Sequence, residues 1–104
     1  MNTKKNENIF QAKLIKKLYA LFPGCIVLKN DAHYIQGIPD LTLIFKDRCY
    51  ILECKKDEGS NRLFNQRMYI AKINEMGGFA RFIYPENEKE ILDEIISVSR
   101  TPRT

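Results

Sequence analysis

The chain has 104 residues, of which 44% are hydrophobic and 29% charged, with a formal net charge of +4. That is the size of a single domain, 1–104, with one modest core, and no apolar run approaches the ~20 residues needed to span a bilayer. The mild basic excess fits a phosphate-rich partner without demanding one, and the odd set Cys25, Cys49 and Cys54, with no C-x-x-C pair, argues against a disulfide framework or a zinc site.

In chain order, residues 7–22 place Phe10, Leu14, Leu18 and Leu21 at helical spacing, with Asn6 as a candidate cap and Pro23-Gly24 as a stop. The start of the chain lacks the apolar stretch of a signal peptide, and all three cysteines lie in apolar runs, so a cytoplasmic protein is expected. Residues 25–28 read as a strand, 30–37 as irregular, and 41–45 and 49–55 as two strands joined tightly. A polar loop leads into a helix over 63–76, whose apolar face carries Gln66, Ile70, Ile73 and Met76 and which Gly77-Gly78 ends. A strand over 79–84 is broken by Pro85, and Asn87 and Glu90 have the spacing of a capping box. A last helix, 88–98, precedes a frayed tail, 99–104. The order is α-β-β-β-α-β-α.

The central hairpin carries the chemistry. A two-residue turn at Asp47-Arg48, or a four-residue loop over 46–49, pairs Phe45 with Tyr50, Leu43 with Leu52 and Leu41 with Cys54 on one face. The other face then receives Asp40 opposite Lys55 and Thr42 opposite Glu53, whereas a three-residue loop would mix the faces. The hydrophobic pattern favours the first register and makes Asp40 and Glu53 diagonal neighbours, roughly 7–8 Å apart at their backbones. Carboxylates at strand ends are costly unless paired or metal-bound.

Mg²⁺ takes one or two carboxylates plus waters and phosphate oxygens. Asp40 and Glu53 suit it, the backbone carbonyl of Cys54 lies between Glu53 and Lys55, and Lys55 would hold an attacking water or stabilise developing charge. The bland alternative is a structural salt bridge at the end of a sheet. The turn-forming Gly37-Ile38-Pro39, the strand context of both halves and the order of elements favour a site.

Gly37-Ile38-Pro39-Asp40 followed by Glu53-Cys54-Lys55 resembles the PD-(D/E)xK nuclease signature. With Gln66 opening a downstream helix, it is most similar to the VRR-NUC branch, whose small stand-alone members occur in phages and bacteria. The resemblance spans about residues 7–84. It implies an α/β restriction-endonuclease-like αβββαβ core, a central mixed sheet flanked by helices, with the C-terminal helix outside the minimal core. It further implies Mg²⁺- or Mn²⁺-dependent hydrolysis of DNA by a homodimer selective for branched DNA, including Holliday junctions. On this resemblance Asp40 and Glu53 are metal ligands, Lys55 is the catalytic lysine, Glu7 is the acid of the first helix and Gln66 supports the site.

Five further residues are candidates for nucleic-acid contact. His33 lies in the loop before Gly37, Lys13 and Lys17 lie off the first helix's apolar stripe, and Arg62 and Arg67 flank the start of the second helix. Each has a solvated-surface alternative, and Tyr34 suits either base stacking or loop packing. Rival readings are a non-catalytic DNA-binding module on the same fold, or a nuclease acting on RNA or on free ends.

Overall fold

The structure is a computed structural model that describes residues 3–102. Three helices and four strands follow the expected order: α1 (Thr3–Leu21), β1 (Ile26–Lys29), β2 (Leu41–Phe45), β3 (Arg48–Cys54), α2 (Phe64–Glu75), β4 (Ala80–Ile83) and α3 (Glu88–Ser99). The strands lie in the order β1-β2-β3-β4. The first three are antiparallel meander partners, while β4, reached through α2, runs parallel to β3. At this level of architecture the fold is a mixed sheet flanked by helices, consistent with a restriction-endonuclease-like arrangement. Among the described residues no helix is long and apolar enough to cross a membrane.

One face of the sheet forms the core. Leu41, Leu43, Tyr50, Leu52, Cys54 and Ile83 meet Leu14, Leu18 and Phe22 of the α1 end and Ile91, Leu92 and Ile95 of α3. Two expectations for α1 change. The helix begins a turn before Asn6, and the residue that completes its stripe is Phe22, 2% exposed, while Leu21 is 46% exposed. Leu18 to Phe22 is a four-residue step, which keeps both side chains on one face of the helix. The second helix packs thinly on the opposite face of the sheet: Ile70 is its buried residue, and Met76 is 72% exposed.

The hairpin register differs from expectation by two residues. Phe45 pairs with Arg48, Leu43 with Tyr50 and Leu41 with Leu52, around a two-residue turn at Lys46-Asp47. Lys46 takes φ 58°, the left-handed conformation such turns need. Drawing Arg48 into the strand aims its guanidinium at the end of α3, where it donates to the Val98 carbonyl and, at 2.6 Å, to that of Thr101. The residues after α3 are thus tied to β3 as far as Thr101 rather than frayed; 103 and 104 lie outside the described residues. Because a shift of two preserves side-chain facing, the apolar and polar faces separate as expected.

Two smaller expectations also change. Asn87 stands at the start of α3 but makes no side-chain cap; its amide accepts from the Tyr84 N–H and donates to the Phe82 carbonyl, bracing the turn after β4. All three cysteines are free, and Cys49 is exposed, since it alternates away from the core face between Arg48 and Tyr50.

Candidate active site

The loop before β2 brings Asp40 to its place. Gly37 has φ 86°, and a Cβ built on it would overlap the Asn65 Cβ and stand 3.0 Å from the Asn65 carbonyl carbon. Only glycine permits both the backbone conformation and this approach of the loop to α2. Pro39 is buried, and Asn30 fixes the segment by donating to the Pro39 carbonyl (2.9 Å) and to Thr42 Oγ1 (3.2 Å), while its own N–H donates to the Asp40 carbonyl (2.8 Å). Gly37→Ala should lower unfolding stability by about 2 kcal/mol or more, from positive φ plus overpacking. Urea denaturation measures it; an unchanged midpoint would show that loop and helix separate freely.

Continuing the β2–β3 register one step past Leu41↔Leu52 sets Asp40 opposite Glu53, directly rather than diagonally. There the carboxylates replace backbone carbonyls as ladder acceptors. The Asp40 N–H donates to Glu53 Oε1 (3.1 Å), and the Cys54 N–H donates to Asp40 Oδ2 (2.9 Å). Each carboxylate thereby fixes one oxygen and leaves the other, Asp40 Oδ1 and Glu53 Oε2, without a hydrogen bond among the described residues. An N–H and C=O of one strand residue leave on the same side, so the Cys54 carbonyl is directed to the Asp40 side as well.

Lys55, 5% exposed, is held by its N–H to the Ile83 carbonyl at 2.9 Å. Its Nζ donates to Gln66 Oε1 at 2.8 Å and stands 3.9 Å from Glu53 Oε2. The same Gln66 oxygen accepts the Leu63 N–H at 3.1 Å, so one amide caps the start of α2 and orients the lysine. The longer Lys55–Glu53 separation makes Gln66 the lysine's hydrogen-bond partner and Glu53 its electrostatic one.

Electrostatics mark the pair. Burial pushes the Glu53 carboxyl up from 4.5 to about 8, and the Asp40 charge adds to this while Lys55 opposes it. Asp40 is raised by burial as well, against the Cys54 N–H, Lys55 and Lys29. Glu7 approaches from α1: burial raises its carboxyl and the Asp40 charge adds to this, while Lys55 and Lys56 oppose it. A buried carboxylate, Glu53, and a half-buried one, Asp40, facing each other with Lys55 as their buried cation suit a hard divalent cation. The donors are all oxygens, as Mg²⁺ or Mn²⁺ prefers. Among the described residues no group of three or more His, Cys, Asp or Glu could hold one ion, so Asp40 and Glu53 form a two-carboxylate set with Glu7 at its rim.

The other candidates are dispersed. His33 pairs with Asp31 (Nδ1 to Oδ1, 3.1 Å) on an exposed loop. Arg62 lies over the rings of Phe82 (5.1 Å) and Tyr84 (5.3 Å) and donates to the Glu58 and Ser60 carbonyls, bracing the loop before α2. Arg67 donates to the Arg62 carbonyl. Lys17 bonds Glu88 at 2.7 Å, joining α1 to α3, and Lys13 is exposed. Sequence reasoning passed over Lys29, whose charge acts on Asp40, and Asn30, which pins the Asp40 loop. The signal for both is the β1–β2 pairing of Lys29 with Leu41, which sets the end of β1 beside the site. Comparison with protein-family models, with curated proteins and with solved structures finds no match to this chain.

Proposed function

We propose that the chain is a metal-dependent nuclease that hydrolyses phosphodiester bonds in DNA, with Asp40 and Glu53 as ligands of Mg²⁺ or Mn²⁺. The observation that carries this reading is the reciprocal Asp40–Glu53 arrangement. Each carboxylate spends one oxygen on the other strand's backbone and keeps one oxygen, in surroundings where two negative charges are costly. A bound divalent ion would neutralise that charge, polarise a phosphoryl group and lower the pKa of a coordinated water. The Cys54 carbonyl and Glu7 would be the next oxygens available to such an ion.

Lys55 then supplies a cation fixed by its hydrogen bond to Gln66, with the Glu53 carboxylate as a longer ion-pair partner, pre-set to stabilise negative charge or orient a water. Its burial keeps it from straying, and its Gln66 contact holds Nζ without neutralising it. No side-chain nucleophile is required. A homodimer acting on branched DNA, Holliday junctions included, is the narrower form of the proposal. One such site makes one incision, so paired incisions need two copies.

A second reading is a DNA-binding module without catalysis, since among the described residues no group of three or more His, Cys, Asp or Glu could hold a metal ion. The two readings part on one assay: cleavage of branched, single-stranded and duplex DNA in Mg²⁺, with chelator and with Asp40→Ala. The nuclease reading expects cutting that chelator and the substitution both abolish. Equal cutting by Asp40→Ala would assign the activity to a contaminant.

A further inference from the structure

Beside Gln66, the 31–39 loop and the start of α2 border an open hollow of about 470 Å³. Its wall includes Gln36, Gly37, Leu63, Phe64, Asn65 and Gln66. Phe64 is 69% exposed and Leu63 56% exposed, so two large apolar side chains open to solvent at its edge. Tyr34, two residues before Gln36 on the same loop, is 82% exposed. Ala32 and Gly37 complete the wall, and Gln36, Asn65 and Gln66 contribute the side-chain amides. Gln66 uses only its oxygen, and among the described residues no hydrogen bond engages its Nε2 or the Gln36 and Asn65 side chains.

An aromatic face with unspent amides beside it is the chemistry that holds a nucleobase, through ring stacking and edge hydrogen bonds. Position narrows the occupant further. Gln66 lines the hollow and bonds Lys55 at 2.8 Å, so the hollow is one side chain away from the lysine of the candidate site. A DNA strand whose phosphate lay against Asp40, Glu53 and Lys55 would bring an adjoining nucleotide to this opening. A base paired within a duplex keeps its face stacked and its edge occupied, so it cannot enter.

We infer that this hollow is a subsite for one unpaired nucleobase beside the scissile phosphate, with Phe64 as its stacking platform and the Gln36 and Asn65 amides at its edge. The placement rests on the phosphodiesterase reading of the neighbouring site, and it sharpens the substrate to DNA with an unpaired nucleotide at the cut: a single strand, a frayed end or a branch point. Gly37 acquires a second role, since its close approach to Asn65 sets the width of the opening.

The test is binding in metal-free buffer, which needs no cleavage. A short single-stranded DNA containing 2-aminopurine is titrated against the wild-type chain, Phe64→Ala and Phe64→Tyr, with the matching duplex in parallel. Because Phe64 is exposed, its replacement should leave the melting temperature unchanged. Phe64→Ala is expected to weaken single-strand binding about tenfold and to abolish the 2-aminopurine fluorescence change. Phe64→Tyr should restore both, and duplex affinity should be the same for all three proteins. Equal single-strand affinity for wild type and Phe64→Ala would overturn the inference, as would equal losses on single strand and duplex. A wild-type dimer that Phe64→Ala dissociates in sedimentation would overturn it too, by making the hollow a contact between copies. If Phe64→Ala loses single-strand binding while Asp40→Ala leaves cutting intact, the nuclease reading falls and takes with it the placement beside a scissile phosphate, leaving a nucleobase-binding hollow; the reverse result removes the subsite alone.

Discussion

Asp40→Ala and Glu53→Gln are each expected to slow Mg²⁺-supported DNA cleavage by about 10³-fold or more under single-turnover conditions. A metal acting as Lewis acid contributes several kcal/mol of transition-state stabilisation, at ~1.4 kcal/mol per tenfold in rate. With only two carboxylates facing one another, loss of either leaves a single ligand side chain and Glu7 at the rim. Lys55→Met is expected to differ in kind. It removes a charge aimed at the reacting group, a loss of about 10²–10³ in rate, and leaves both carboxylates to hold the ion. Calorimetry with Mn²⁺ separates the classes: binding lost in Glu53→Gln and kept in Lys55→Met. Gln66→Ala should fall between, because the Nζ would lose its 2.8 Å acceptor and retain only Glu53 at 3.9 Å. If Lys55→Met abolished metal binding as completely as Glu53→Gln, the assigned division of roles would be wrong. Melting curves for each variant guard against loss of fold, since Lys55 and Glu53 are both buried.

The juxtaposition of Asp40 and Glu53 was legible because it depends on parity. Strand side chains alternate with period two, so the apolar set Leu41, Leu43, Leu52 and Cys54 determines which residues share the polar face even when the register slides by two. The slide itself was not legible. It is decided at Lys46-Asp47, where a lysine accepts a left-handed conformation that glycine or asparagine usually signals, and by Arg48, whose carbonyl partners lie on and beyond the end of α3. Both causes are tertiary. The same holds for Lys17, which local pattern places on a solvated helix face and the fold commits to Glu88. Gln66 was visible as a polar residue at a helix start, but its tie to Lys55 needs the α2–β3 packing that no local pattern encodes.

The site also explains why the polar face of the sheet is covered so thinly. The second helix buries only Ile70 as it packs beside β4, and its first turn, not its middle, reaches Lys55 through Gln66. The helix is instead fixed at its two ends. Gln66 holds its start, and the Asn74 amide, bonded to the Ala80 carbonyl at 2.8 Å and N–H at 3.0 Å, holds its finish.

The carboxylate pair should make the fold sensitive to pH in an unusual direction. The folded Glu53 carboxyl titrates near 8, above its ordinary 4.5, so between those values the native state binds more protons than the unfolded chain. Stability therefore falls as pH rises from about 5 to about 8, by about 2–4 kcal/mol, where paired surface carboxylates would make it rise. Asp40, also raised by burial, acts with the same sign. Glu53→Gln keeps an oxygen to accept the Asp40 N–H and removes the titration, so its stability should be nearly flat over this window, with only the Asp40 contribution left. Divalent cation should act in the opposite sense and on wild type alone. At pH 8, Mn²⁺ at a hundred times its dissociation constant adds ~2.7 kcal/mol, a rise in melting temperature of about 10 °C or more for a domain of this size. At pH 5 the proton on Glu53 competes with the ion, and the same addition should do little. Thermal melts at both pH values, with and without Mn²⁺, read all of this from one preparation. A wild-type slope equal to that of Glu53→Gln, or a Mn²⁺ shift as large at pH 5 as at pH 8, would separate the two carboxylates from metal binding and leave them a structural pair.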